Sequence, residues 1–311
     1  MNKNLIPARL ILRINRFVAT VLIDNTETEV YVPNTGRLSE LAIPGADCLL
    51  TESHGKYNYK LLYIISNGFP VMIDSTLSNS LFAELLIAKE VPGFEKCTLI
   101  KREPVYGNHR FDYLVSDGSD SFYIELKSCT LFFRDVASFP DAVSSRASEH
   151  IRALSSAPES RLVILILNDS ASVFVPNFHT DYEFYSALKE NGDKINISAL
   201  RINYSKQLEI ETLTPVPVLI PEISRSGYLL VVLADEINKF YIYMSPYMID
   251  AFDEIRKIKN GRSILHKFSG LNCSTRVLKD FPILDEPSSA DKSIELFYIM
   301  EGVELKETGN D

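Results

Sequence analysis

Over the first 75 residues, short alternating apolar runs are broken at close intervals by turn residues. The pattern predicts strands at Ala8–Leu12, Phe17–Ile23, Glu29–Val32, Asp47–Glu52, Tyr59–Ser66 and Phe69–Asp74. Between them lie Asp24-Asn25, Pro33-Asn34-Thr35-Gly36, Pro44-Gly45, His54-Gly55 and Asn67-Gly68, breaks rich in residues that favour turns. Five or six short strands in so short a span predict a small barrel. The period then changes. Leu81, Leu85 and Ala88 fall on one helical stripe, which predicts a helix over Asn79–Lys89 that stops near Pro92-Gly93.

The middle of the chain switches between periods. A strand near Thr98–Pro104 precedes two β-prone runs, Arg110–Val115 and Phe122–Lys127. A helix is expected over Pro140–Ser155, with proline in its first turn and Asp141 beside it as a partner for the helix dipole. The unbroken apolar run Arg161–Leu167 reads as a strand buried on both faces. A helix over Thr180–Glu190 and a strand over Ile195–Asn203 complete an α/β domain with a mixed sheet. Pro215-Val216-Pro217 and Pro221 mark a boundary, so the chain divides into a barrel (1–77), an α/β domain (78–220) and a C-terminal extension of α+β character (221–311). In the extension, a hairpin is expected from Gly227–Ala234 and Lys239–Met244, a helix over Pro246–Lys259 and a strand over Glu295–Ile299.

The two runs Arg110–Val115 and Phe122–Lys127 carry the candidate chemistry. The polar segment Ser116–Ser121 between them contains Asp117-Gly118, a hairpin signal. Folding the hairpin symmetrically about Gly118 and Ser119 places Asp112 opposite Glu125, and alternation puts Glu125 and Lys127 on one face. Two carboxylates facing each other repel, so a structural sheet has little use for the pair. The set fits the D-x(n)-(E/D)-x-K pattern of metal-dependent nucleases. Asp112 and Glu125 supply the hard oxygen ligands that Mg²⁺ or Mn²⁺ prefers, and Lys127 stands where it can orient a water.

Composition narrows the class without naming it. The 311 residues are 46% hydrophobic and 23% charged, the profile of an ordered globular chain with room for more than one core. The four cysteines, Cys48, Cys97, Cys129 and Cys273, have no metal-ligand spacing and fit a reducing, cytoplasmic setting. Arg13 and Arg16 interrupt the apolar run Leu10–Val21, so it is not read as a signal peptide. The longest aliphatic runs are strand-sized, so no membrane span is expected. A net charge of −9 argues against a surface that is basic all over. Residues 1–60, with seven Lys/Arg against six Asp/Glu, are near neutral, so nucleic acid would be met by local patches.

Six stretches in order carry a family resemblance: ARLILRINRF (Ala8–Phe17), VPNTGRL (Val32–Leu38), the start of the helix at Ser78–Leu86, REPVYGNHRFDYLV (Arg102–Val115), YIELKSCTL (Tyr123–Leu131) and FPDAVSSRASEH (Phe139–His150). They span about residues 5–220, and the chain resembles the sugar fermentation stimulation protein (SfsA) family. The resemblance implies an OB-fold barrel followed by a restriction-endonuclease-like PD-(D/E)XK domain, and DNA as the partner. It implies one of two roles: a nuclease using Asp112, Glu125 and Lys127, or a non-catalytic DNA-binding regulator of sugar (maltose) metabolism. Arg13, Arg16 and Arg37 are then the candidate phosphate contacts of the barrel, with Arg9 behind them and Phe17 expected in the barrel core. Arg146 and His150, four apart on one helix face, are candidates for contacts in the second domain. Glu84 is read as a surface residue in preference to a further metal ligand. Residues 221–311 lie beyond the resemblance and are open to a protein partner; a homodimer is also left open.

Overall fold

The computed structural model describes residues 5–38, 41–66, 68–133, 135–178 and 180–220, with a few backbone strands beyond them. Six strands build the barrel: β1 (Ile6–Asn15), β2 (Val18–Ile23), β3 (Thr26–Tyr31), β4 (Asp47–Glu52), β5 (Tyr59–Ser66) and β6 (Phe69–Met72). Their order is β3-β2-β1-β4-β5-β6, and a parallel pairing of Tyr31 with Lys60 joins β3 to β5, so the sheet curls shut as in an OB fold. Asp24 and Asn25 connect β2 to β3 with φ of 46° and 64°, the type I′ geometry that matches strand twist. Leu10, Val21, Val30, Leu50, Ile64 and Val71 fill the interior.

The barrel shares a wall with the next domain. Val71 and Ile73 belong to the barrel core, whereas Met72 between them is buried in the second core. The Met72 N–H also donates to the Leu167 carbonyl at 2.9 Å. Helix α1 (Ser75–Ala88) follows at once, capped by Asp74, whose side chain accepts the Leu77 N–H at 2.9 Å and also takes Lys60 Nζ at 2.8 Å. The helix therefore starts four residues earlier than the apolar stripe alone predicts. Lys89, in the left-handed conformation at φ 67°, ends it.

The second domain runs through β7 (Thr98–Arg102), β8 (Val105–Tyr106), β9 (His109–Arg110), β10 (Tyr113–Ser116), β11 (Ser121–Cys129), β12 (Leu131–Phe133) and β13 (Val136–Phe139). It continues through α2 (Ser145–Leu154), β14 (Ser160–Ile166), β15 (Val173–Pro176), α3 (Tyr182–Asn191), β16 (Ile195–Tyr204) and β17 (Ile210–Val216). The main sheet has the order β17-β16-β14-β11-β10-β7, with β11, β14 and β16 parallel and both flanks antiparallel. Val163, Leu165 and Leu167 pack with Phe82, Leu86, Phe122 and Ile124, so the central strand is covered as its sequence predicts. A small sheet, β12-β13-β15, and the short hairpin β8–β9 lie outside it.

The barrel and this sheet fall within one compact unit, Met1–Pro176 with Glu183–Leu219. Beyond it, β18 (Ile223–Ser224) pairs with β21 (Met248–Ile249), and β19 (Leu229–Ala234) with β20 (Phe240–Ser245) in the expected hairpin. The helix expected over Pro246–Lys259 falls outside the described residues except at β21, which is a strand. The strand expected over Glu295–Ile299 lies wholly outside them. No helix among the described residues is long and apolar enough to cross a membrane.

One expected helix is corrected. The helix expected from Pro140 begins at Ser145, because Ser144 takes the cap position and its side chain accepts the Ala147 N–H at 3.2 Å. Asp141 therefore sits ahead of the helix in a loop, and its carboxylate is used elsewhere.

Candidate nuclease-like site

The hairpin register sets the site. Tyr113 pairs with Ile124 and Ser116 with Ser121, so the next step along the ladder brings Asp112 opposite Glu125. Between the strands, Asp117 Oδ1 accepts the N–H groups of Ser119 and Asp120 at 2.9 and 3.0 Å, and Gly118 takes φ 99°. Asp112 lies just ahead of β10. Its N–H donates to the Ile124 carbonyl at 3.1 Å, and its Oδ2 accepts the Leu126 N–H at 2.8 Å.

Glu125 is almost wholly buried, with 3% exposed. Lys127 Nζ donates to its Oε1 at 2.6 Å, and His150 Nδ1 makes a second, very short contact with the same oxygen. Lys127 Nζ also lies 3.5 Å from His150 Nδ1, and Arg146 Nε donates to His150 Nε2 at 3.4 Å. An Nδ1–H tautomer satisfies both the Glu125 and the Arg146 contacts. Glu125 Oε2, in contrast, is buried and has no hydrogen-bond partner.

The two carboxyls are tuned in opposite directions. Burial, reinforced by the nearby Glu125 charge, pushes the Asp112 carboxyl up to about 6. Burial acts the same way on Glu125, but the His150 hydrogen bond and the Lys127 charge outweigh it and hold that carboxyl below its usual range. Glu125 is therefore the permanent anion of the pair, and Asp112 the one that a cation would hold ionised.

Two cavities meet at these residues. A cleft of about 980 Å³ runs from Arg16, Asn34 and Arg37 of the barrel, past Ser75 and Asn79 of α1 and Arg102 of β7, to Asp112 and Lys127. A smaller cavity of about 220 Å³ is lined by Asp112, Glu125 and Lys127 together with Arg110, Arg146 and His150. Asp112 and Lys127 belong to both walls.

The structure thus brings Asp112, Glu125, Lys127, Arg146 and His150 together, with Arg16 and Arg37 along the cleft. Other candidates are placed differently. Arg13 donates to the carbonyls of Arg37, Arg16 (2.8 Å) and Asn34 (3.1 Å), so its guanidinium ties the loop together. Arg9 pairs with Asp47 at 3.3 Å on the surface. Buried His150 serves Glu125 and presents little surface to a nucleic-acid strand. Phe17 is 45% exposed, not a core residue: it follows the bulged end of β1, with its N–H turned back to Asn15 Oδ1 at 2.8 Å. Glu84 is exposed and lines neither cavity. Asp141 accepts the Leu38 N–H at 3.0 Å, joining the barrel loop to the second domain.

Arg102 and Arg110 went unassigned in the sequence. Nothing local marks them, because only the folded sheet brings them to the cavities. The donor set fits a divalent cation. Glu125 Oε2 is a buried oxygen without a hydrogen-bond partner, and Asp112, which lines the same cavity, would be the second hard ligand. Among the described residues no group of three or more His, Cys, Asp or Glu side chains is placed to hold a metal ion by itself, so water and phosphate oxygens would complete the shell.

Comparison with known proteins agrees with this architecture. Residues 11–73 match the SfsA N-terminal OB domain, and residues 76–208 match the sugar fermentation stimulation protein RE domain. A sugar fermentation stimulation protein homolog from Alkaliphilus metalliredigens is 38% identical over 187 residues, covering 57% of this chain and 81% of the relative. One from Clostridium tetani is 37% identical over 196 residues, covering 60% and 85%. The solved structure of Pyrococcus furiosus SfsA in complex with Ca²⁺ superposes with a TM-score of 0.65 at 31% identity, covering 70% of this chain and 96% of that one.

Proposed function

This chain belongs to the sugar fermentation stimulation protein family, and we propose that it is a DNA-binding protein whose second domain is a Mg²⁺- or Mn²⁺-dependent phosphodiesterase. The observation that carries the reading is Glu125, buried with one unpartnered oxygen, opposite Asp112 at the end of a cleft. Buried charges are tolerated where they are paired or bind metal, and here one oxygen is paired and the other is not. The Ca²⁺ complex of the Pyrococcus relative supports divalent-cation binding in this fold.

In this reading Asp112 and Glu125 hold the cation, which supplies charge neutralisation at the phosphoryl group and acidifies water. The chain's own side chains do the rest. His150 fixes the rotamer of Glu125 through Oε1 and leaves Oε2 without a hydrogen-bond partner, the oxygen that would take the cation. Lys127 Nζ, in the wall common to both cavities, orients the attacking water and offsets charge on the phosphate. Arg16, Arg37 and Arg102 contact phosphates along the cleft, and Arg110 and Arg146 do so on the far side.

The regulator reading draws on one observation: Lys127 and His150 already satisfy Glu125 Oε1, so the cluster holds together without a metal. Incubation of purified protein with DNA, with Mn²⁺ or with EDTA, separates the two. The nuclease reading expects cleavage in Mn²⁺ alone and none from Glu125→Ala. Cleavage surviving that substitution would remove Glu125 from the site, and no cleavage under any condition would favour the regulator.

A further inference from the structure

We infer that the cleft takes a single strand of DNA, with an unstacked base laid against the Phe17 ring. This rests on the nucleic-acid reading of the cleft and adds the form of the substrate. Phe17 is a large aromatic left 45% exposed, next in the chain to Arg16, which lines the cleft. Its carbonyl accepts the Val32 N–H at 2.8 Å, which fixes its backbone beside Val32, two residues before Asn34 of the cleft wall. An aromatic face beside a cationic groove is the pairing that binds single strands, because every base has a π-face and every nucleotide a phosphate. In a duplex the base faces are stacked inside, so the ring would have nothing to cover.

The cleft is also held in shape. Gly36 stands so close to the second domain that a Cβ there would lie 2.7 Å from Asp141 Oδ2, and Asp141 accepts the Leu38 N–H. The barrel loop that lines the cleft is therefore held against the second domain. A strand whose base rests on Phe17 would pass Arg16 and Arg37 on its way to Asp112.

Fluorescence anisotropy with the full chain and a labelled oligothymidylate of about twelve nucleotides tests this, since OB-type sites cover roughly 4–16. EDTA is present throughout, so binding is read without metal and without cleavage. Phe17→Ala is expected to weaken binding roughly five- to a hundredfold, the range for losing one stacked base, and Phe17→Tyr to restore it. The proposal is overturned if Phe17→Ala binds as the parent does. It is overturned too if a duplex of the same length binds as tightly and loses as much. Either result leaves the Mn²⁺-dependent role of Glu125 standing, and failure of that role leaves this binding result standing.

Discussion

At the scale of single residues, the site is a small balance of charges in a place that disfavours them. Asp112 is raised to about 6 by burial and by Glu125, so in the metal-free protein the folded state binds its proton more tightly than the unfolded chain does. Stability contributed by that proton is full below about pH 4 and is lost as pH rises through about 6. Asp112→Asn should therefore stabilise the protein in EDTA at pH 7 by up to about 3 kcal/mol, with the gain fading as pH falls from about 6 and gone below about pH 4. Urea unfolding at several pH values reads this directly, and a gain that does not depend on pH would contradict it. Metal affinity should fall below about pH 6 for the same reason, because the cation competes with that proton. The Asp112–Glu125 pairing was legible because a hairpin's register follows from its numbering. The partnership of Glu125 with His150, 25 residues away, was not, since nothing local links a strand to a later helix. The setting of Arg13 was hidden for a related reason: sequence shows a cation, whereas only the folded loop shows the carbonyls that it binds.

At the scale of elements, the loop Asn34–Leu38 and helix α2 decide how the site is held. Asn34 donates to the Ile73 carbonyl at 2.7 Å and accepts the Gly36 N–H at 2.7 Å, while Asp141 takes the Leu38 N–H. A Cβ at Gly36 meets the Asp141 and Asn34 oxygens at 2.7 and 2.9 Å, so Gly36→Ala should cost about 1–3 kcal/mol. The Asp141→Ala partner should relieve part of that cost in a double-mutant cycle; strict additivity would show that the two do not touch. Helix α2 delivers His150 to Glu125, and His150→Ala should weaken Mn²⁺ binding by roughly 10–100-fold in a calorimetric titration, as removal of a ligand's supporting hydrogen bond does. Unchanged affinity would make that contact incidental. Strands bounded by Gly, Pro and Asn turns were legible, and Asp47–Glu52 and Tyr59–Ser66 match their observed limits. Helix α2 was misplaced because Pro140 offers a good first-turn residue while Ser144 offers a better cap. The three-stranded sheet β12-β13-β15 escaped notice because its strands have only three or four residues, too few to show a period.

At the scale of the whole molecule, the shared wall around Met72 makes the barrel and the second domain one body, with the cleft between them reaching Asp112 and Lys127, which also wall the smaller cavity of Glu125. The fold was legible because each domain's pattern is local, but the cleft was not, since it is made by residues from both. Its cations should set the salt dependence of binding. Removing Arg16 and Arg37 together should reduce the slope of log affinity against log salt by about two, one for each phosphate that no longer meets an arginine. A slope unchanged in the double variant would place the strand elsewhere. Whether Asp112 and Glu125 together hold a divalent cation is decided by anomalous diffraction from crystals soaked in Mn²⁺. The expected result is an anomalous peak in contact with both carboxylates, absent in Glu125→Ala. Density bound elsewhere, with Glu125 still engaged only by Lys127 and His150, would contradict it.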